Sequence, residues 1–528
     1  MNIHSIFLAV LLSSASVGAA DTPAAPTDLK PAPVVSPGRE VGSGRPQTLP
    51  AVAKPLPELQ RDLVNLRFGM FLCASPVTYL DLPDHFQPDH APPRQGKDEI
   101  AGTADDLRPT LYNPAKLDCG QWADAAKSAG MKTAVLLTKH HDGFCLWPSR
   151  YSTYTVAQGC KRDVVREFVD AFRQRGLTVG LYYSIRDRTE RIATDAAHGG
   201  VSTEKIQLIK NQLAELLTNY GEISYIMFDA WGNNWHESPS FWDIPYAEIH
   251  SHIKSIQPNC LVMNHSRIRS VSDVPQIELR AGMALPSGAD WAATGGDTLQ
   301  SAWFWQTSYP TMELRSVDWV VNQNLRPFNQ RNVLFFLNCA PNRDGLMDAN
   351  VLARLAEIGK AWTPPPPLQT IPDSWQNWPV PSSVHLFKGR NLAQGKPVRF
   401  ATTQTVKSGS DVVDGNPNTS VDLAGKAAWL EIDLGEVQPL AGLHIWNRFP
   451  AKNVILEQGF VFVSDQPFQS DDPATLRQQA GVRTIAITEP PGYPTPYPIN
   501  APARYVRVVS TTGTPIGIGE VEVFARTK

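Results

Sequence analysis

Eight short apolar runs between Arg67 and Asn338, separated by amphipathic stretches, constrain this chain more than any other feature. They are FGMFLCA (68–74), KTAVLLT (132–138), LTVGLYYS (177–184), ISYIMFD (223–229), CLVMNH (260–265), PQIEL (275–279), AWFWQ (302–306) and NVLFFLN (332–338). Each has the length of a strand and is almost continuously apolar, as parallel strands buried on both faces are. The segments CGQWADAAKSAG, VVREFVDAFRQRG and EKIQLIKNQLAELLTNYG between them each end at a glycine that can take the left-handed conformation past a helix C-terminus. Strand and helix alternate, which predicts an α/β fold, a closed TIM-like (β/α)8 barrel. The competing open, doubly wound sheet lacks its glycine-rich turn, because no GxGxxG follows any run.

At 528 residues the chain exceeds one ordinary domain, and its pattern changes on either side of the barrel. Residues 1–20, MNIHSIFLAVLLSSASVGAA, read as a secretory signal ending near Ala20, since the apolar core from Ile6 to Leu12 is too short to span a bilayer. Residues 21–57 are rich in Pro, Ala and Ser and predict a flexible leader. The barrel is assigned to 58–362, and TPPPPLQ opens a proline-rich linker at 363–384. From 385 to 528, short alternating runs broken by turn residues predict an all-β sandwich. The formal charge of -3 offers no attraction to nucleic acid or acidic lipid, so a neutral ligand fits best. Six cysteines without a CxxC pair indicate neither a zinc ribbon nor a dense disulfide framework, although Cys145 and Cys160 are candidates to bridge. The expected location is outside the cytoplasm, periplasmic or extracellular.

In such a barrel chemistry sits at the C-terminal ends of the strands. The runs end on Cys73, then His140, His141 and Asp142, then Ser184, Arg186 and Asp187, then Asp229, Asn264 with His265, Glu278, Trp305 and Asn338. Asp229 follows Ile226, Met227 and Phe228 directly, so a rigid strand delivers its carboxylate to the mouth, with Trp231 and Trp235 as stacking platforms; a helix cap is the competing role. Glu278 in VPQIELRAG is a second carboxylate, and Asp297 in TGGDTLQ, read as a loop residue before Trp303, is a third. Paired carboxylates suit glycoside hydrolysis, one attacking the anomeric carbon or activating water while the other protonates the leaving oxygen. A salt bridge to Arg280 or Arg267 is the alternative role for Glu278. Neighbouring side chains on an extended chain point apart, so the adjacency of His140 and His141 argues against a shared metal ion. It favours neutral imidazoles that bond sugar hydroxyls, with Asp142 orienting a ring or the loop.

Taken together, TKHHDGFCLWPSRYSTYTV, KRDVVREFVDAFRQRGLTVGLYYS, IMFDAWGNNW and NVLFFLNCAPNRDG resemble the α-L-fucosidases of glycoside hydrolase family 29, over roughly residues 58 to 362. The resemblance implies a retaining double displacement on terminal α-L-fucosides of oligosaccharides or glycoconjugates, with Asp229 as nucleophile. It implies His140 and His141 as ligands of fucose hydroxyls, and Trp231 or Trp305 as the wall facing the sugar's methyl group. The acid/base carries over to Glu278, with Asp297 as the alternative. Two positions depart from the family's pattern: FGMFLCASP puts Cys73 where a sugar-binding histidine is usual, and the common WFDG reads MFDAWG. No cofactor or metal is required for this chemistry.

The tail, with NLAQGKPVRFATTQ, DVVDGNPNTSVDL, AWLEIDLGEV, ARYVRVVS and IGIGEVEVF, looks like a discoidin-type (coagulation factor 5/8 C-terminal) domain. That likeness implies a jelly roll that binds glycan or packs on the barrel, and makes the DGNPN turn a candidate holder of a structural calcium ion. The expected partners are fucosylated glycans, with no nucleic acid and no membrane span, and nothing in the sequence assigns an oligomeric state. An exo-glycosidase of another sugar specificity and a non-catalytic carbohydrate-binding protein are the competing functions.

Overall fold

The computed structural model describes residues 52–81, 108–193, 201–232, 238–241, 243–281, 283, 290–379, 387–402, 409–416, 419–425, 427–447, 456, 458–488, 491, 494–513 and 515–526. The expected signal, nearly all of the leader, Trp235 and most of the segment between Asp81 and Arg108 lie outside them.

Eight parallel strands close into a barrel in chain order: β1 (Phe68–Leu72), β2 (Thr133–Lys139), β3 (Thr178–Ser184), β4 (Tyr225–Asp229), β5 (Leu261–Asn264), β6 (Val274–Glu278), β7 (Ala293–Thr298) and β8 (Val333–Asn338). β1 closes the ring by pairing with both β2, at Gly69 and Thr133, and β8, at Phe68 and Phe335. Helix α1 (Leu56–Val64) precedes the barrel, and α2 (Cys119–Ser128), α3 (Val164–Gln174), α4 (Thr203–Asn219) and α5 (Tyr246–Ile256) follow β1 to β4 in turn. A π-helical stretch (Trp319–Leu325) and α6 (Arg326–Gln330) lead into β8, and α7 (Ala349–Ala361) follows it. The Asp118 and Asp163 carboxylates cap α2 and α3 by accepting from the N–H groups of Gln121 and Arg166. Gly130, Gly176 and Gly221 follow α2, α3 and α4 at φ of 80°, 73° and 71°, so the three glycine signals mark real helix ends.

The seventh strand is a correction. It is ATGGDT, not AWFWQ, which forms an irregular loop beyond it. ATGGDT carries no hydrophobic run, yet it pairs with β6 from Gln276 and Thr294 and with β8 from Ala293 and Val333 through Thr298 and Asn338. Its glycines are required by neighbours: a Cβ on Gly295 would lie 2.3 Å from the Phe328 ring, and one on Gly296 would lie 3.0 Å from the Phe336 carbonyl oxygen. Asp297 therefore lies on a strand rather than in a loop.

The proline-rich segment is more than a spacer. Arg67 donates to the Pro366 carbonyl, Asn65 exchanges hydrogen bonds with Leu368, and the indoles of Trp375 and Trp378 donate to the carbonyls of Asp290 and of Arg269 and Ser272. Trp375, on the short α8 (Asp373–Gln376), is fully buried and packs in one cluster with Val64 and Ala292. These contacts fall beside the N-terminal ends of β1, β6 and β7, so the segment covers the barrel face opposite the candidate site.

The C-terminal domain is antiparallel, with β9 (Val398–Ala401), β10 (Val421–Leu423), β11 (Trp429–Asn447), β12 (Gly459–Ser464), β13 (Arg483–Ile487), β14 (Thr495–Ser510) and β15 (Ile516–Ala525). The order is β10-β15-β11-β14-β12-β13, with β9 on the first part of β11 and β15 on the last. Register shifts between Leu440 and Gly442 interrupt the long β11. Residues from both its parts, Ile432 and Leu443 among them, share a buried cluster with Val461, Val506 and Val521, and Trp429, Phe462, Leu476 and Val509 form a second, smaller one. Among the described residues no helix is long and apolar enough to cross a membrane, and all six cysteines are free thiols.

Trp375→Ala is expected to destabilise the barrel by about 3–5 kcal/mol through the cavity left against Val64 and Ala292. Thermal melting of the full chain checks this, with the melting temperature falling while the C-terminal domain keeps its own transition.

Candidate active site

Asp229 closes β4 and is 8% exposed, which is a costly setting for a charge. Its Oδ2 accepts from the Tyr182 hydroxyl at 2.6 Å, and its Oδ1 accepts from the Ala230 N–H at 2.6 Å. His141 Nε2 stands 3.7 Å from Oδ2, and His265 Nδ1 stands 3.6 Å from Oδ1. Burial pushes the Asp229 pKa up, but the His265 and His141 imidazoles, the Tyr182 hydroxyl and His140 outweigh it and hold the carboxyl at about 2. Asp229 is therefore ionised at any ordinary working pH.

His140 and His141 lie just beyond β2, where the chain turns and the Gly143 N–H donates to the His140 carbonyl. The expectation that adjacent rings point apart is overturned by that turn: the ring centroids are 4.0 Å apart and both rings reach toward Asp229. The donor atoms of His140, His141 and Asp229 lie within 4.8 Å of one another, as in a metal site. Two of the three residues are also held within the protein, since His141 Nδ1 bonds Ser184 Oγ at 2.6 Å and Asp229 has an N–H or O–H on each oxygen. The Ser184 hydroxyl donates to the Arg186 carbonyl, so it accepts from His141 Nδ1–H, which places a proton on that nitrogen. Asp142 caps the loop, its Oδ1 accepting from the Phe144 N–H at 3.0 Å.

Glu278 closes β6, and its Oε2 lies 3.8 Å from His265 Nε2, so one imidazole stands between Glu278 and Asp229. Asp297 belongs to a different neighbourhood. Burial raises its pKa, while the Thr298 N–H and the nearby Arg315 and Arg280 guanidinium groups work the other way. Cys73, just beyond β1, is 2% exposed and faces both Glu278 and Asp229; burial first and then those carboxylates push its thiol well up, so it is protonated at neutral pH.

The aromatic residues differ from expectation. Trp231 is fully buried among Phe228, Phe241 and Tyr246, with its indole donating to the Ile244 carbonyl, so it presents no face to a sugar. Trp305 is held by Asp348 at 2.7 Å, and the Arg343 guanidinium lies 5.4 Å over its ring, so its face is already occupied. Its two predecessors take that side of the site: Phe304 meets His140 edge-on at 5.1 Å and Trp303 packs on Phe71. Two further residues bear on Asp229. Tyr182 escaped notice because it lies within a strand, although period-two alternation puts it on the same side as the strand-end Ser184. His265 is a strand-end residue for which the sequence offered no partner.

Ala230 adopts φ +50°, a left-handed conformation costly for alanine, directly after Asp229. Ala230→Gly is expected to stabilise the chain by about 1 kcal/mol and to leave the Asp229 contacts in place. Denaturant unfolding of the two proteins would expose an error as an unchanged or lowered midpoint.

Three comparisons bear on this geometry. Residues 102–364 match the family model described as Alpha-L-fucosidase. Alpha-L-fucosidase 1 of Arabidopsis thaliana is 31% identical over 301 residues, 51% of this chain and 56% of its own length. The human plasma alpha-L-fucosidase is 35% identical over 115 residues, 21% of this chain and 25% of its own. Unliganded alpha-L-fucosidase AlfC from Lactobacillus casei overlaps 58% of this chain and 97% of its own at 21% identity, with a TM-score of 0.47. The chain spans about half the length of the plant relatives it matches. The family match runs from before α2 to just past the end of α7 and takes in β2 to β8, so this segment of the chain is similar to the alpha-L-fucosidase family.

Proposed function

We propose that this chain releases terminal α-L-fucose from oligosaccharides or glycoconjugates with retention of configuration. The observation that carries the reading is the pairing of Asp229 and Glu278 across a single imidazole, with Asp297 turned to arginines instead. In the first step an Asp229 oxygen attacks the anomeric carbon while Glu278 gives its proton to the departing glycosidic oxygen. In the second step Glu278 takes a proton from water, whose oxygen displaces Asp229 and frees the sugar. A carboxyl held at about 2 suits the first step, because a nucleophile must be ionised. His140 and His141 take sugar hydroxyls in this scheme, with the Ser184 contact that fixes the His141 ring beside Asp229 supporting that role. Phe304 and Trp303, rather than Trp231 or Trp305, line the apolar side.

Cys73 favours a second reading, an exo-glycosidase for another sugar. A protonated thiol is a weak hydrogen-bond group where the family's usual histidine is a strong one. A panel of nitrophenyl glycosides separates the two readings.

The C-terminal domain is read as discoidin-like, on a chain exported after removal of its signal. Its DGNPN turn fits calcium. Buried Glu520 of β15 faces Asp414 of that turn and accepts from the Gly415 N–H at 3.1 Å, while Thr419 Oγ1 gathers the carbonyls of Asp411 and Asn416. Burial, with the Asp414 and Glu522 carboxylates, raises Glu520 to about 8, a strain that a hard cation with oxygen ligands relieves.

Asp229→Ala is expected to lower kcat on p-nitrophenyl α-L-fucoside by about four orders of magnitude, with azide restoring a fucosyl product of inverted configuration. An active Asp229→Ala variant would sink the assignment. For the C-terminal domain, a carboxyl raised on folding contributes stability below its unfolded pKa and loses it as pH climbs through about 8. Its melting temperature in chelator should fall between about pH 5 and pH 8, calcium should restore it, and Glu520→Gln should abolish both effects.

A further inference from the structure

His265 occupies a position that no other strand could provide. β5 lies between β4 and β6 in the barrel, so a side chain just beyond β5 is flanked by whatever closes those two strands. Here these are Asp229 and Glu278, 3.6 Å from Nδ1 and 3.8 Å from Nε2 of the same ring. The ring is 5% exposed and also bonds the Phe228 carbonyl, so its orientation is set by the barrel rather than by solvent. The other groups facing the pair are His140 and His141 beyond β2, Tyr182 on β3 and Cys73 beyond β1. Among these groups His265 has a ring nitrogen facing each carboxylate.

A retaining glycosidase needs its two carboxyl groups in opposite states at once, one ionised and one protonated. A neutral imidazole has one N–H donor and one lone-pair acceptor, on opposite edges of the ring. We propose that His265 is the positioning residue for the carboxylate pair, its one N–H shared between the Phe228 carbonyl and ionised Asp229 and its lone pair accepting from protonated Glu278 in the free enzyme. The inference rests on the fucosidase reading above. The two contacts are longer than hydrogen bonds and tighten as substrate closes the site. Burial pulls the imidazole below its usual pKa against the attraction of Asp229, which agrees with a neutral ring.

The test uses His265→Asn, whose amide reaches the place of Nδ1, and His265→Gln, whose amide reaches the place of Nε2. For wild type and both variants, kcat/KM on p-nitrophenyl α-L-fucoside is measured across pH. His265→Gln is expected to move the acidic limb up by about one unit, and His265→Asn the basic limb down by about one unit. In both, kcat should fall about tenfold or more with KM changed less than about threefold. Two variants that lose rate but leave both limbs in place would overturn the proposal and leave His265 a packing residue. Should wild type fail to turn the substrate over, the fucosidase reading fails instead. His265 is then judged by double-mutant cycles in thermal melting with Asp229→Asn and Glu278→Gln, where non-additive shifts support the coupling and additive shifts overturn it.

Discussion

An ionised carboxylate kept almost out of water is tolerable only when donors surround it, and Asp229 is where this chain meets that constraint. Its neighbours come from four places: Tyr182 within β3, the N–H of Ala230, His141 beyond β2 and His265 beyond β5. No local segment can assemble that set. Barrel closure does so, because parallel strands bring all their C-terminal ends to one rim and leave each end beside two others. The left-handed alanine after Asp229 belongs to the same arrangement, since it turns the backbone so that the next N–H meets the carboxylate.

The loop carrying His140 and His141 rests on a second buried charge. Lys139 ends β2 with no exposure, and its Nζ reaches Asp187 at 2.8 Å, Tyr183 Oη at 3.0 Å and Gln212 at 3.3 Å. A buried pair of this kind is weak evidence of stability but strong evidence of a fixed geometry, because removing one partner strands the other. Gly143 ties the loop to that pair: it has φ 87°, and a Cβ there would lie 2.3 Å from Asp187 Oδ1. The buried polar network and the glycine explain why the two rings converge where an extended chain would have splayed them.

Most strands were legible because a strand buried on both faces is largely apolar along its length, and seven of the eight runs became strands. β7 does not: ATGGDT is defined by small residues that let Phe328 and Phe336 approach, while the aromatic run after it forms one wall of the site. The same displacement moved Trp305 away from the role its position in the run suggested. Trp231 misled for a related reason, since an aromatic beside a strand-end carboxylate can equally well be core, and here it packs on Phe241 and Tyr246.

By itself the sequence determined the alternation of buried strands and glycine-stopped helices, the delivery of Asp229, Glu278 and the histidine pair to strand ends, and the change to an antiparallel pattern near the C-terminus. These are periodic or local properties, and periodicity is set by neighbours along the chain. Only the tertiary structure decided that Glu278 and not Asp297 shares an imidazole with Asp229, that Tyr182 bonds Asp229, and that the proline-rich segment covers the opposite face. Each of those depends on which strands are adjacent around the barrel and on which side chains are excluded from water, and both are fixed when the ring closes.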